Sequence, residues 1–348
     1  MSKLLITGGA GFIGSNYLNI MVKRYKNDFF VCLDSLTYAG NLENIREIIG
    51  LSNFKFIQGD IRDKKLVQKL FEQYHFNYII NFAAETHVDN SFLNEERFMS
   101  TNVDGVKNLL EISKKFNLTK FHQVSTDEVY GDLDLNSNDE FYENSPLFPK
   151  NPYSKSKAIA EQLVIDYSKK FGLPITISRC TNNFGKNQNE EKFIPHSIKL
   201  IANEKNIEVY GNGKNIRDWI YVNDHVEAID LIVRSSKYNE IYNIAGHNLK
   251  SNIDIANYII KILHKDFNKI TFIKDRKIHD LKYNLNTDKI EKELGFKCKF
   301  DFETELTNTI SYYYKLFKWL FNYINILSTK WIIKFSFCHC QYFNSFRF

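Results

Sequence analysis

A tyrosine and a lysine near the middle of the chain have the types and spacing that suit proton transfer. Tyr153 and Lys157 form the pattern Tyr-x-x-x-Lys, which places them one turn apart on the same face of a helix. A free tyrosine has a pKa of about 10 and is a weak base near neutrality, but a neighbouring ammonium group favours its phenolate. The pair predicts a base that removes a hydroxyl proton, although this spacing also arises by chance.

Two adjacent carboxylates upstream of this pair indicate a second kind of chemistry. Asp127 and Glu128 follow Thr126 at the end of a predicted strand. Oxidising an alcohol requires only a hydroxyl beside the tyrosine, which Ser125 or Thr126 supplies, whereas eliminating water requires both a base and an acid. Neighbouring carboxylates at a partly buried site have pKa values that move apart, which suits these two roles. The pattern favours a dehydration, with a solvated acidic turn as the alternative.

The N-terminal segment predicts a dinucleotide site. In a glycine-rich turn between a strand and a helix, Gly8 permits the tight turn and Gly11 lets a pyrophosphate approach the backbone. Gly14 lets the helix pack closely on the strand. Asp34 ends the second strand, where its carboxylate accepts hydrogen bonds from ribose hydroxyls and repels a 2′-phosphate. The predicted cofactor is therefore NAD rather than NADP, and its nicotinamide charge further favours the phenolate of Tyr153.

Alternating strand and helix patterns must position these residues. We predict strands at Lys3–Thr7, Phe29–Asp34, Phe54–Gln58, Tyr78–Ala83, Lys120–Ser125 and Pro174–Arg179. Helices are predicted at Phe12–Tyr25, Lys64–Tyr74, Met99–Phe116 and Tyr153–Phe171. This order predicts an α/β fold, a Rossmann-type doubly wound parallel sheet with a smaller mixed α/β substrate-binding lobe. Ligands bind such sheets at the carboxyl ends of the strands.

The pattern loosens after Arg179, which suggests a division into lobes. Residues 1–180 are predicted to form the NAD-binding domain, and 216–245 to rejoin it through strands at Trp219–Tyr221 and Ile241–Ile244. Residues 181–215 and 246–314, with helices at Ile194–Asn203 and Ile253–His264, form the predicted substrate-binding lobe. Residues 315–348 are an atypical basic, aromatic tail, for which membrane-surface contact, packing on the protein or a partner, and no selected function all stay open.

Composition narrows the class of protein. The 348 residues carry a net charge of +5 with Lys and Glu interspersed, so nucleic acid is not an expected partner. The five cysteines are scattered and odd in number, which is compatible with a reducing cytoplasm, and no metal site is predicted from Cys338-His339-Cys340 alone. Neither a signal peptide nor a membrane span is expected.

Five segments together resemble one enzyme family. They are Gly8–Asn16, Asp34–Asn41, Phe82–Asp89, Thr126-Asp127-Glu128 and Tyr153–Lys157. In combination they resemble the extended short-chain dehydrogenase/reductase family, and more narrowly its dTDP-glucose 4,6-dehydratases, over roughly residues 2–314. Thr-Asp-Glu is what separates these dehydratases from the sugar epimerases.

The resemblance implies a mechanism for the catalytic residues Thr126, Asp127, Glu128, Tyr153 and Lys157. Tyr153 would deprotonate O4 of glucose while hydride moves from C4 to NAD, and Thr126 would hold O4. Glu128 would remove the C5 proton, and Asp127 would protonate O6 as water leaves. Hydride would return to C6 and give a 4-keto-6-deoxy sugar nucleotide.

The resemblance also implies two sets of binding residues. The cofactor set is Gly8, Gly11, Phe12, Ile13, Gly14, Asp34, Ser35, Leu36, Thr37, Asp60, Ile61, Phe82, Ala83, Ala84, Thr101, Tyr153, Lys157 and Asn183. The substrate set is Thr86, Thr126, Asn182, Lys192, Tyr210, Arg217, Asn248, Arg276 and His279. Among these, Arg217 can clamp a diphosphate with two parallel hydrogen bonds.

The family usually has Pro-Gly where Lys277-Ile278 stand, so the loop that aims Arg276 and His279 is expected to differ. A homodimer through the helices near Met99–Phe116 and Tyr153–Phe171 is a further family expectation. Two alternatives remain: a sugar-nucleotide epimerase or decarboxylase on the same scaffold, which leaves the carboxylate pair unexplained, and a non-catalytic NAD-binding protein, which would not require the tyrosine and lysine.

Overall fold

The computed structural model describes residues 1–266, 268–276 and 278–320. Lys277, the Cys338-His339-Cys340 cluster and most of the predicted tail lie outside the described residues. Within the described part, no helix combines the length and the apolar character needed to cross a membrane.

A seven-stranded, wholly parallel sheet forms the centre of the protein, in the order β10-β6-β5-β4-β1-β2-β3. A three-stranded sheet, β11-β9-β7, and a two-stranded sheet, β12-β8, lie beside it. The strands in chain order are β1 Lys3–Thr7, β2 Phe29–Asp34, β3 Phe54–Gln58, β4 Tyr78–Asn81, β5 Lys120–Thr126, β6 Ile175–Cys180, β7 Asn182–Phe184, β8 Ile207–Tyr210, β9 Ile216–Tyr221, β10 Glu240–Ile244, β11 Leu249–Ser251 and β12 Ile270–Ile273.

Helices cover both faces of the large sheet, as its parallel strands require. In chain order they are α1 Phe12–Arg24, α2 Lys64–Tyr74, α3 Val88–Leu93, α4 Glu95–Met99, α5 Gly105–Ser113, α6 Pro152–Phe171, α7 Phe193–Ala202, α8 Val222–Arg234, α9 Asn252–Ile262 and α10 Asp288–Leu294. Residues 302–320 are also helical. Short 3-10 turns occupy Leu42–Ile48 and Asp127–Tyr130, and a π-helical turn occupies Ser100–Asp104.

The predicted doubly wound sheet is confirmed, and its first three strands have the predicted bounds. The helix predicted over Met99–Phe116 is interrupted, because a π-helical turn precedes α5 and α5 ends at Ser113. Helix α8 was not expected. Its apolar face packs with α1 on one side of the sheet, while α2, α5 and α6 contribute to the apolar cluster on the other.

One predicted strand belongs to a different sheet. Ile241–Ile244 joins the large sheet within β10, next to β6, as predicted. Trp219–Tyr221 does not rejoin it: as part of β9, it pairs with β7 and with β11. Trp219 instead packs in a second apolar core with residues of α7, α9 and the helix at 302–320. The prediction that this strand returns to the large sheet was wrong, because β7 and β11 pair with its two edges. Its apolar side chains divide between two cores, since Ile220 packs in the cluster that contains α1. The division into two functional lobes stays a prediction.

The glycine-rich turn between β1 and α1 is shaped by close backbone contacts. Gly8 has a φ of +67°, and a Cβ there would lie 2.6 Å from the backbone nitrogen of Ala83. A Cβ on Gly14 would lie 2.5 Å from the Gly8 carbonyl oxygen. Both positions therefore require glycine. The turn lies between β1 and β4, where the strand order reverses and a crevice opens.

A histidine inside the large sheet is expected to make folding sensitive to acid. His122 on β5 is fully buried, and its ring nitrogens contact the Thr176 and Ser178 hydroxyls at 2.9 and 3.1 Å. Burial, with a smaller contribution from Lys120, lowers the pKa of His122 to about 3. Below about pH 6.5 this histidine is protonated in the unfolded chain but stays neutral in the folded protein. The free energy of unfolding therefore falls as the pH decreases towards 3.

We predict that the free energy of unfolding decreases less steeply with falling pH in His122→Asn than in the wild type. The difference should be about 1.4 kcal/mol per pH unit between roughly pH 6 and 4, because one protonation event is removed. Urea unfolding at several pH values measures this difference. The control is His75→Asn, which changes an exposed histidine. Parallel curves for wild type and His122→Asn would contradict the prediction.

Candidate active site

A cavity of about 1810 Å³ opens at the carboxyl ends of the central strands and extends between the large sheet and the second core. This volume exceeds that of a typical single-ligand pocket, about 300–1,000 Å³. It is lined by all the predicted site residues except two, Leu36 and Asn248. The arrangement has room for a dinucleotide and a second nucleotide-sized ligand together.

The two exceptions have local structural contacts. Leu36 packs against the apolar cluster that contains α1, and its amide donates to Asp34. The Asn248 side-chain amide donates to the carbonyl oxygens of Gly246 and Trp219 at 2.7 and 3.1 Å, so it holds the turn before β11. The structure does not bring either side chain to the cavity wall.

The end of the cavity beside α1 fits a dinucleotide. Gly8 and Gly14 are positions where an added Cβ would collide with backbone, and the N-terminal end of α1 starts there. The Asp34 carboxylate accepts from the Ala10 and Leu36 amides at 2.9 and 2.8 Å. These bonds fix the carboxylate at the end of β2, although burial raises its pKa. This combination fits a pyrophosphate at a helix N-terminus and a ribose beside a carboxylate.

Asp60, predicted to reach an adenine, is held by an arginine two residues later. Arg62 donates to the Asp60 carboxylate through its backbone amide and its guanidinium. The Arg62 guanidinium also donates to the Ser100 hydroxyl at 3.1 Å. Asp60 and Ile61 still line the cavity, but the carboxylate of Asp60 is largely engaged within the protein.

Tyr153 and Lys157 lie on the cavity-facing side of α6 and are both buried. The Lys157 Nζ donates to the Val124 carbonyl oxygen at 2.6 Å, and burial lowers the pKa of Lys157 to about 8. Burial, followed by the charge of Glu128, raises the pKa of Tyr153 well above its usual value. The sequence predicted that Lys157 and the nicotinamide charge together favour the phenolate, and the low polarity and the carboxylates of the protein act in the opposite direction.

Asp127 and Glu128 begin the 3-10 turn that follows β5. Asp127 is 3% exposed, and one of its carboxylate oxygens has no hydrogen-bond partner. The other accepts from the Thr126 hydroxyl at 3.1 Å. Burial and then the charge of Glu128 raise the pKa of Asp127 well above its usual value, and burial also raises the pKa of Glu128. Two carboxyl groups that resist ionisation therefore border the cavity next to Tyr153.

Asn151, which the sequence did not single out, contacts both the start of α6 and Glu128. Its side-chain oxygen caps α6 by accepting from the Ser154 amide at 2.8 Å. Its side-chain nitrogen donates to the Glu128 carboxylate at 3.0 Å, which lowers the pKa of Glu128 against the effect of burial. Asn before Pro at the start of a helix was a visible capping signal, but the contact with Glu128 depends on the fold.

The π-helical turn before α5 anchors the start of α6. Asn102 in this turn is 1% exposed and donates to the Ser156 hydroxyl at 2.8 Å and to the Glu85 carbonyl at 3.0 Å. Ser156 in turn donates to the Tyr153 carbonyl at 2.7 Å. The irregular turn, which also places Thr101 on the cavity wall, therefore fixes the backbone at the start of α6. π-helical turns are frequent at functional sites.

The second half of the cavity is lined by cationic side chains. Arg217 donates to the carbonyl oxygens of Ile216 and Asp280 at 2.8 and 2.9 Å, and its guanidinium lies 4.7 Å from the centre of the Tyr283 ring. Lys192 donates to the Thr86 carbonyl at 3.0 Å. Neutral carbonyl partners leave the positive charge of Arg217 available for an anion.

A third cation closes the far end of the cavity. Arg276 pairs with Asp89 at 2.9 Å and lies 4.6 Å from the centre of the Tyr210 ring. His279 contacts Asp275 at 2.6 Å. The loop therefore brings Arg276, His279 and Tyr210 together, despite the departure at Lys277-Ile278 in the sequence.

Asn182 and Asn183 have different surroundings although they are adjacent on β7. The Asn183 side chain is fully engaged, since it contacts His225 at 2.9 Å and donates to the Thr181 carbonyl at 3.0 Å. The side-chain oxygen of Asn182 is buried and has no partner in the described protein. Asn182 is therefore better placed than Asn183 to gain a hydrogen bond from a ligand. Within the described residues, no group of three or more His, Cys, Asp or Glu could hold a metal ion.

Two further cavity residues were also missed. Tyr283 is 2% exposed and donates to the Asp280 carboxylate, and both residues line the cavity near Glu128. The sequence offers no periodic or motif signal for them, because they reach the site from an irregular segment after β12.

Known structures with this fold include enzymes of more than one activity. A crystal structure of a dTDP-glucose 4,6-dehydratase from Streptomyces venezuelae with NAD bound is similar, with a TM-score of 0.87 and 36% identity, and the match covers 91% of this chain and 98% of that one. A UDP-glucose 4-epimerase from Thermotoga maritima is also similar, with a TM-score of 0.83 and 26% identity over 90% of this chain and 99% of that one. The fold alone does not separate these activities.

Sequence comparison identifies the family, which the fold alone does not. A probable dTDP-glucose 4,6-dehydratase from Sinorhizobium fredii is 40% identical over 327 residues, which cover 89% of this chain and 92% of that protein. Residues 5–309 match the model of the family described as GDP-mannose 4,6 dehydratase. The resemblance to the dTDP-glucose 4,6-dehydratases is therefore confirmed, and the chain belongs to the GDP-mannose 4,6 dehydratase family.

Proposed function

We propose that the chain is an NAD-dependent dTDP-glucose 4,6-dehydratase, which forms a 4-keto-6-deoxy sugar nucleotide for deoxysugar biosynthesis. The observation that carries this proposal is the buried Asp127 and the partly buried Glu128 beside Tyr153, in a cavity with a dinucleotide cradle. An acid and a base next to an oxidation site are what a dehydration requires.

Tyr153 is the base for the first proton transfer, at the substrate O4. NAD, when bound, takes hydride from C4 and returns it to C6. Thr126 holds O4, and it lies close enough to the Tyr153 phenol to lower its pKa against the effect of burial. Lys157, fixed by the Val124 carbonyl, supplies a cation on the same helix face. The nicotinamide charge adds to this cation, so deprotonation of Tyr153 depends on both ligands being bound.

Glu128 and Asp127 then carry out the loss of water. The ketone at C4 acidifies the C5 proton, which Glu128 removes in its ionised form. Asp127 is the acid that protonates O6, and its burial keeps the proton on it at a pH where an ordinary aspartate has lost it. The partnerless oxygen of Asp127 is the free position from which this proton can be delivered.

The cations of the second half hold the diphosphate and the base. Arg217 has carbonyl partners, so a diphosphate can bind it without first displacing a carboxylate. Lys192 donates to the Thr86 carbonyl and lies 3.8 Å from the Glu191 carboxylate, which a diphosphate must compete with. Arg276 must break its ion pair with Asp89 before it can bind the ligand. Tyr210 and His279 border the same end of the cavity and complete the nucleotide contacts.

The alternative on this fold is a sugar-nucleotide epimerase. Oxidation and return of hydride at C4 needs Tyr153 and its cofactor but gives no role to a raised carboxyl pKa at Asp127. The carboxyl pair therefore favours the dehydratase. We also propose that the enzyme is a cytoplasmic homodimer. Free Cys32 and Cys180 are compatible with a reducing compartment, and exposed Phe92, Leu93 and Ile159 on α3 and α6 offer an apolar surface to a second copy.

We predict that turnover of dTDP-glucose in deuterated water labels the product at C5 with solvent deuterium and carries the original C4 hydrogen to C6. The reason is that Glu128 exchanges the proton taken from C5 with solvent and returns a solvent-derived one to C5 as hydride is added at C6, whereas the hydride itself does not exchange. NMR and mass spectrometry of the product measure both positions. Formation of a C4 epimer, or no product with any nucleotide glucose, would remove the assignment.

We predict that Asn151→Ser moves the acidic limb of the kcat/KM profile to higher pH. Serine retains a helix cap, but the amide donor to Glu128 is lost, so the pKa of Glu128 rises further and its ionised form disappears at a higher pH. The profile should keep its alkaline limb. Ser251→Asn, which exchanges the cap residue of α9 far from Glu128 in the sequence, is the control. An unmoved acidic limb in Asn151→Ser would show that Glu128 is not the base.

A further inference from the structure

A buried arginine lies between the two elements that carry the reactive side chains. Arg179 on β6 is 2% exposed. Its Cα is paired with Ser125 of β5 on one side and with Asn243 of β10 on the other. The proposed chemistry gives it no direct role, and burying a guanidinium is costly unless its donors are paired.

On the helix side, Arg179 binds the face of α6 that carries the base. Its Nε and one terminal nitrogen donate to the Glu161 carboxylate at 3.0 and 2.6 Å. Glu161 lies one turn after Lys157 and two turns after Tyr153, so the three side chains share one face of the helix. The ion pair therefore fixes this face against β6.

On the other side, Arg179 binds the end of the turn that carries the carboxylates. Its second terminal nitrogen donates to the Tyr130 hydroxyl at 2.8 Å, and Tyr130 closes the 3-10 turn that Asp127 begins. The Tyr130 hydroxyl donates in turn to Asn243 at 2.7 Å. The Tyr130 ring stacks on Phe141, with ring centres 4.9 Å apart, and the guanidinium carbon of Arg179 lies 4.7 Å from the centre of the Tyr130 ring.

We infer that Arg179 is a positioning residue, which through Glu161 and Tyr130 fixes the separation between the carboxyl pair and the Tyr153–Lys157 face. The inference rests on the proposed dehydration. Oxidation at C4 depends on α6, the cofactor and Thr126 at the end of β5, whereas water loss also depends on the position of Asp127 and Glu128 in the turn that Tyr130 closes. A looser link at Tyr130 should therefore slow water loss more than oxidation.

Tyr130→Phe tests this link with the least disturbance. Arg179→Ala would leave the Glu161 charge unpaired in the interior and threaten folding, whereas phenylalanine retains the ring stack and removes only the hydroxyl. We expect water loss to slow by roughly ten- to a hundredfold, the scale of a small misplacement of catalytic groups, and oxidation by less than about twofold. Reduced cofactor, followed by its absorbance, should accumulate during turnover, and a deuterium isotope effect at C5 should become larger.

Tyr242→Phe is the matched control, because Tyr242 is equally buried and its hydroxyl donates to Glu293, outside the network. Thermal unfolding of both variants separates lost stability from lost position. If wild type forms keto sugar but Tyr130→Phe shows the same balance of oxidation and water loss as Tyr242→Phe, the positioning role is wrong while the proposed function stands. If wild type forms no keto sugar, the proposed function fails and the inference fails with it.

Discussion

Four ionisable side chains at one edge of the large sheet are shielded from solvent, and the rest of the site depends on this shielding. Tyr153, Lys157 and Asp127 are buried, and Glu128 is partly buried. In such surroundings the charged form of each group is disfavoured, so burial raises the pKa of the phenol and of both carboxyl groups and lowers the pKa of Lys157 to about 8. For Lys157 and the two carboxyl groups these pKa shifts are towards neutrality, where a group can gain and lose protons during a reaction. The phenol of Tyr153 shifts the other way, so it depends on its ligands to lose a proton.

The scaffold pairs the buried polar groups that fix the elements carrying the reactive side chains. Asn102 and Ser156 fix the start of α6, and Arg179 pairs with Glu161 further along the same helix. The unpartnered buried atoms include an oxygen of Asp127 and one of Asn182, both on the cavity wall. Because an unpaired buried polar atom destabilises a fold by about 1–3 kcal/mol, atoms of this kind mark positions that a ligand can satisfy.

Much of the fold follows from local patterns in the sequence. The apolar runs and the Gly8–Gly14 turn predicted the parallel sheet and its cofactor crevice, and the motifs at Thr126–Glu128 and Tyr153–Lys157 reach one cavity as expected. What was missed depends on packing between distant segments. The β9 strand paired with β7 and β11, Asn151 gained Glu128 as a partner, and burial raised the pKa of Tyr153. No repeating pattern of residues in the sequence predicts any of these three results.

Infrared difference spectroscopy of wild type against Asp127→Asn measures the protonation of Asp127 most directly. At about pH 6 an ordinary aspartate is ionised. Burial next to a second carboxyl group should keep Asp127 protonated, so the wild type should show a carboxylic acid carbonyl band that the variant lacks. If the spectra differ instead by a carboxylate band, Asp127 is ionised in the folded protein, and the acid on which the dehydration depends is absent.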